Sequence, residues 1–179
     1  MISHMNLQPY LVNNLVQLRP LLVEDFDALY RVAQDPLIWE QHPCSDRYLS
    51  EPFASFFQDS IESGGAVIVI DQNSQEVIGS SRFKPIVGTP KAVEIGWSFL
   101  ARKYWGGQYN KAVKDLMITY AFTFLDDIVF YIGKENIRSQ RAVEKLGGER
   151  VQGKGFSNLI ADKLDDYTYR ISRDKWLGE

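Results

Sequence analysis

The stretch AVEIGWSFLARKYWGGQYNKAVKDLMITYAF, residues 92–122, changes rhythm halfway along. Its first part alternates: Val93, Ile95, Trp97 and Phe99 fall on one face, and Ala92, Glu94, Gly96 and Ser98 on the other. That period belongs to a strand, with the first face in the core. From Gly107 the period lengthens. Ala112, Val113, Leu116, Met117, Tyr120, Ala121 and Phe124 form one apolar stripe, with Lys111, Asp115, Thr119 and Thr123 opposite, which is the pattern of a helix. The apolar run IVFYI, Ile128–Ile132, then reads as a short strand buried on both faces, so strand, helix and strand make a right-handed parallel crossover. The loop from Arg102 to Asn110 sits at a strand's carboxyl end, where α/β folds bind ligands.

In that loop Gly106 and Gly107 precede the helix. The first turn of a helix has unpaired N–H groups and a partial positive charge, and glycine leaves the approach to them clear. The amides of Gly107, Gln108, Tyr109 and Asn110 are therefore candidates to cradle a pyrophosphate, with Arg102 and Lys103 adding charge. A glycine pair that makes only a tight turn satisfies the same spacing. On the preceding strand, the face of Ala92, Glu94, Gly96 and Ser98 predicts an open groove floored by backbone, with one carboxylate projecting into it. An ordinary solvated face with a surface acid has the same alternation.

Outward from this unit, LVQLRPL (Leu15–Leu21) predicts a strand and VEDFDALYRVAQ a helix with acidic residues in its first turn. Residues 37–52, with mixed aromatics and prolines, predict an irregular loop able to act as a lid, followed by a helix at FASFFQDSIES. AVIVID and EVIGSSRFKPI, separated by QNSQ, predict an antiparallel hairpin. No repeat and no long linker divides the chain, which predicts one domain over residues 15–179 after an extension at 1–14, whose SHM is a candidate cloning remnant.

Composition narrows the function. The 179 residues are 45% hydrophobic and 24% charged, enough for a sizeable core. A formal charge of −3 argues against a nucleic-acid partner, which needs a basic face. The single cysteine, Cys44, and two histidines, His4 and His42, supply neither a disulfide nor a metal site. No stretch is long and apolar enough for a membrane span, and the N-terminus has no signal-peptide core, so the expectation is a soluble, cytoplasmic protein without a membrane partner.

The residues YWGGQYNKA after EIGWSFLARK resemble the acetyl-CoA signature of the GNAT superfamily, with Lys103, Gly106 and Gln108 on its three marked positions. Lys103 stands where Arg or Gln is usual, and Gln108 where a small residue is usual. ENIRSQRAVEKLGGERV resembles the second motif, through Asn136 and Ser139. LRPL, DPLIWEQHP and DDYTYRISRDKW are similar to the branch that acetylates the N-termini of ribosomal proteins. The resemblance implies a GNAT-like α/β (α+β) fold, a mixed and mostly antiparallel sheet of about seven strands with a splayed parallel pair, flanked by helices.

It also implies a function: an N-acetyltransferase in which a neutral amine attacks the thioester of acetyl-CoA directly, without metal or covalent intermediate. The acceptor would be a protein N-terminus or a small amine, and the enzyme a monomer or homodimer. Glu94 is then the base candidate. Phe99, Leu100 and Ala101 would contact the thioester and pantetheine, Arg102, Lys103, Gly106, Gly107, Gln108, Tyr109 and Asn110 the phosphates, and Asn136, Ser139 and Arg141 would also face the cofactor. Ser139 is a candidate donor to the sulfur, because Val143 occupies the position where many relatives place a tyrosine acid. Local spacing also fits Asn136 as a helix N-cap with Ser139 in the capping turn. Trp39, His42 and Tyr48 are candidates for the acceptor side, with packing the simpler role for Trp39. A second function fits the same residues: a catalytically silent module that binds acyl-CoA.

Overall fold

The computed structural model describes residues 5–151 and 166–178. Strands β1 (Leu11–Val12) and β2 (Val16–Pro20) lead into helices α1 (Phe26–Ala33) and α2 (Ser50–Glu62). A meander of β3 (Ala66–Asp71), β4 (Val77–Pro85) and β5 (Ala92–Leu100) follows. Helix α3 (Tyr109–Ala121) crosses to β6 (Asp127–Gly133), and α4 (Ile137–Lys145), β7 (Glu149–Arg150), β8 (Asp166–Ser172) and α5 (Arg173–Leu177) complete the described fold. Among the described residues one sheet of eight strands runs β1-β2-β3-β4-β5-β6-β8-β7, one more than the expected count of about seven, with β1 and β7 only two residues long. Every neighbouring pair is antiparallel except β5 and β6.

Two helix starts differ from their sequence expectation. Val23–Asp25 is a single 3-10 turn and α1 begins at Phe26. Asp25 is engaged there: Arg19 donates to both carboxylate oxygens at 2.7 and 2.8 Å, and the Leu22 N–H at 2.9 Å. Helix α2 begins at Ser50 rather than Phe53, since Pro52 lies in the first turn, where no N–H is needed. Within the segment expected as an extension, Met5 is buried in the core and Leu11–Val12 pair with β2; residues 1–4 lie outside the described residues.

The face assignment on β5 is corrected by a β-bulge. Pairing with β4 skips from Ser80↔Phe99 to Arg82↔Gly96, leaving Trp97 and Ser98 opposite the single residue Ser81, and Trp97 takes a φ of 53°. A bulge of this kind inverts the alternation beyond it. Val93, Ile95 and Leu100 therefore pack with Met117 and Ile118 of α3, while Trp97 and Phe99 join Trp39 and the α2 phenylalanines on the opposite face. The open groove expected around Glu94 is absent, because helices cover both faces of the sheet: Glu94 is only 8% exposed. Ser98, beyond the bulge, turns toward α3.

The buried stripe of α3 comprises Val113, Lys114, Met117, Ile118 and Ala121, so a lysine lies within it. Phe124, expected on that stripe, lies past the end of the helix and is 43% exposed. Strands β5 and β6 pair only at Ala92↔Asp127, Val93↔Ile128 and Glu94↔Val129, after which they part. That divergence positions the site.

Candidate active site

The gap beyond Glu94 opens into a cavity of about 590 Å³. Its walls are Ser98, Phe99 and Leu100 of β5, the loop Trp105–Gly107, the first two turns of α3, the side of α4, and Ile38, Trp39, Gln41 and His42. The loop is tied to the strand by the Trp105 indole, whose Nε1–H donates to Leu100 O at 2.9 Å. Gly106 has a φ of 70°, a left-handed conformation that favours glycine. A Cβ at Gly106 or Gly107 would meet nothing within 4 Å, so the space above both is open.

Helix α3 starts without a side-chain cap, and its first helical bond runs from the Ala112 N–H to Gln108 O at 2.8 Å. The N–H groups of Tyr109, Asn110 and Lys111 therefore have no partner within the helix. Facing them, Asn136 precedes α4 and its Oδ1 accepts from the Ser139 N–H at 3.2 Å, so Asn136 does cap this helix. Gln140 holds the approach to α4 in place, donating to Gly133 O at 3.1 Å and Lys134 O at 2.8 Å. Arg138 spans the walls: its Nη2 donates to Ile38 O at 2.8 Å, and its guanidinium lies over the Trp105 ring.

The charge of the lining is one-sided. Lys111, Arg138, Arg141 and Lys145 supply it, Lys111 pairing with Asp115 and Arg138 with Glu40 off the lining, and among the described residues no Asp or Glu lines the cavity. This holds although the chain has 23 acids against 20 lysines and arginines. An enclosed wall of one sign raises the local concentration of the opposite ion.

Of the site residues expected from sequence, Trp39, His42, Phe99, Leu100, Gly106, Gly107, Asn110, Asn136, Ser139 and Arg141 come together on the lining. Others lie elsewhere. Arg102 is paired with Asp35, holding that carboxyl below its usual range, and Lys103 with Glu76 at 3.1 Å; both face a separate recess that also includes Ala101. Gln108 and Tyr109 do not line the cavity, and the Tyr109 hydroxyl donates to Asp71 at 2.9 Å. Tyr48 packs under α2, its carbonyl accepting from the Tyr30 hydroxyl at 3.4 Å. Trp39 is 2% exposed, with its indole donating to Ala33 O, so most of its surface serves packing. His42 accepts the Cys44 N–H at Nδ1.

Glu94 lies across β5 from the cavity, on the face of Arg82 and Trp97. Arg82 is 5% exposed, and burial lowers its guanidinium to about 10; it stacks on Trp97 at 4.4 Å and donates to Ser60. Lys114 is the functional candidate that sequence expectation passed over. Its Nζ contacts the hydroxyls of Ser98 and, at 3.3 Å, Ser81, and burial lowers its ammonium to about 7. Its signal was positional, since it stands three residues before Met117 and four before Ile118 on the buried stripe.

Residues 16–149 match the sequence model of the acetyltransferase (GNAT) domain. No curated protein matches the chain. Among solved structures, the fold is similar to that of a GNAT-family acetyltransferase from Bacillus anthracis, at 20% identity and a TM-score of 0.72, covering 92% of this chain and 98% of that one. It is also similar to a protein described as a ribosomal-protein-serine acetyltransferase from Vibrio cholerae (16% identity, TM-score 0.70, 94% and 99% covered). RimJ of Mycobacterium smegmatis, solved in complex with CoA-disulfide, matches at 17% identity and a TM-score of 0.65, with 94% and 88% covered. At these identities the structural likeness is one of fold.

Proposed function

The chain belongs to the GNAT acetyltransferase family, and on that premise we propose that it moves an acetyl group from acetyl-CoA to a primary amine by direct attack in a ternary complex. The observation that carries the reading is the acid-free, cation-rich cavity at an uncapped helix N-terminus, which suits a diphosphate. When bound, acetyl-CoA supplies the activated acyl group. The first-turn amides of α3, cleared by Gly106 and Gly107, grip the pyrophosphate, and Arg141 and Lys145 face the outlying phosphate charge.

The backbone of Phe99 and Leu100 offers hydrogen bonds to the pantetheine arm where β5 has left β6. Asn136 and Ser139 stand on the opposite wall, and the Ser139 hydroxyl is the donor for the sulfur. Val143 is buried in the core at 5% exposure and supplies no hydroxyl there. Glu94 is the base. It takes the ammonium proton, directly or through water, with Trp39 and His42 on the cavity lining as the acceptor side.

The resemblance of LRPL, DPLIWEQHP and DDYTYRISRDKW to the ribosomal-protein branch suggests a protein N-terminus as acceptor, a small primary amine meets the same chemical requirement, and the fold does not choose between them. The position of Glu94 across the strand favours a second reading, a silent module that binds acyl-CoA without turnover. The two part in one experiment. Coenzyme A at roughly a hundred times its dissociation constant should stabilise the fold by about 2.7 kcal/mol under either reading. Thiol release in excess of that without amine is then followed against a panel of N-terminal peptides and small amines. Binding without that excess for any acceptor would leave only the silent module, and no stabilisation would sink both.

A further inference from the structure

Three polar side chains at the cavity have no part in direct transfer: Lys114, Ser98 and Ser81. Lys114 rises from α3 within the apolar cluster and is 5% exposed. Its Nζ contacts Ser98 Oγ and lies 3.3 Å from Ser81 Oγ, and the two hydroxyls are 2.7 Å apart. Among the described residues no carboxylate pairs with this lysine, and burial brings its ammonium down to about 7, so much of it is neutral near neutral pH. Ser98 is exposed and lines the cavity, while Ser81 is 1% exposed behind it. The bulge at Trp97 is what turns Ser98 to this face.

A serine hydroxyl needs a neighbouring base to become a nucleophile, and serine with lysine is one of the pairs that serve acyl transfer on unrelated folds. We infer that Ser98 attacks the acyl-CoA thioester with Lys114 as its base, Ser81 holding the pair in place through its contacts to both, giving the protein an amine-independent acyl-CoA hydrolase activity. The inference rests on the reading that acyl-CoA occupies this cavity.

In the first step the Ser98 Oγ–C bond forms and the C–S bond breaks. The hydroxyl proton passes to the neutral Lys114 amine and from it to the departing thiolate, releasing the thiol. In the second step water attacks the ester. Its proton passes through Lys114 to the Ser98 oxygen, and the carboxylic acid leaves. The sum is acyl-CoA plus water giving acid plus coenzyme A, with the enzyme restored. The Ala101 N–H donates to Ile78 O on β4, so strand alternation turns the Leu100 N–H to the gap, the side on which the oxyanion develops.

The test mixes the full chain with acetyl-CoA and no amine, quenches in acid within the first turnovers, and maps added acetyl groups by peptide mass spectrometry. The expected result is an acetyl ester on Ser98, cleaved by alkaline hydroxylamine, with steady release of thiol. Ser98→Ala should lose the ester and reduce release to the uncatalysed background, and Lys114→Met should slow release by about 10²–10⁴-fold. Thermal shift with coenzyme A, measured on each variant, shows that the cavity is intact. A hydroxylamine-stable amide on Lys114, or thiol release undiminished in Ser98→Ala, overturns the inference while leaving the cofactor reading in place. Absence of any shift with coenzyme A in the wild type overturns both.

Discussion

The guanidinium carbon of Arg138 stands 4.0 Å from the ring centroid of Trp105, joining α4 to the loop ahead of α3. The same residue's N–H donates to Gln41 Oε1 at 3.1 Å, and its Nη2 to Ile38 O, so one arginine fixes three walls of the cavity. Arg138→Ala should lower stability by about 1–2 kcal/mol in urea unfolding and weaken coenzyme A binding with it. Arg138→Lys should recover little of either, since an ammonium has neither the planar face nor the fork of donors.

Gly106 and Gly107 separate backbone strain from ligand access. Gly106 has a positive φ and Gly107 does not, but both have open space where a side chain would go. Gly106→Val should destabilise the fold by about 1–2 kcal/mol through its left-handed backbone. Gly107→Val should leave the melting temperature nearly unchanged and reduce the coenzyme A thermal shift, because its branched side chain fills the ligand's space. Equal shifts for wild type and Gly107→Val would mean that no ligand approaches there.

Lys114 predicts a pH dependence of stability. The unfolded chain holds this proton up to about 10.5, the folded chain only to about 7. Between those values the unfolded state binds more protons, so stability rises with pH, by at most about 1.4 kcal/mol per unit. Below the folded value both states are charged and the cost of the buried ammonium is present in full. Urea midpoints measured between about pH 7 and 9 should climb in the wild type relative to Lys114→Met.

Gly79 of β4 leaves no room for a side chain against β5. A Cβ there would stand 2.0 Å from the carbonyl oxygen of Phe99. Gly79→Ala should therefore cost about 3 kcal/mol or more, read from chemical denaturation, as the strands are forced apart beside the cavity.

Glu94→Gln keeps the size of the side chain and removes the proton acceptor. With amine acceptors, kcat at neutral pH should fall by about 10²–10⁴-fold, and the loss should shrink at high pH, where free amine needs no base. A flat, wild-type pH profile in the variant would remove Glu94 from that role.

The strand at Ala92–Leu100, the helix after Gly107 and the strand at Ile128–Ile132 were legible because burial imposes their periods directly on the side chains. The bulge at Trp97 was not, since one extra residue in a strand leaves no compositional mark, and it reassigned Trp97, Ser98 and Phe99 at once while Glu94, ahead of it, kept its face. The glycine pair and Asn136 could be located from local chemistry. Arg102 and Lys103 could not, because their partners Asp35 and Glu76 lie far away in sequence. Lys114 was hidden by its own type: a lysine on an apolar stripe reads as a helix edge until its depth is known.

The brief pairing of β5 with β6 leaves a length of each strand edge without a strand neighbour across the gap. A molecule lodged there is held through main-chain groups, which every amino acid carries alike. Its grip can survive wholesale replacement of the surrounding side chains, so sequences on this scaffold are free to drift far apart while the shared cleft endures.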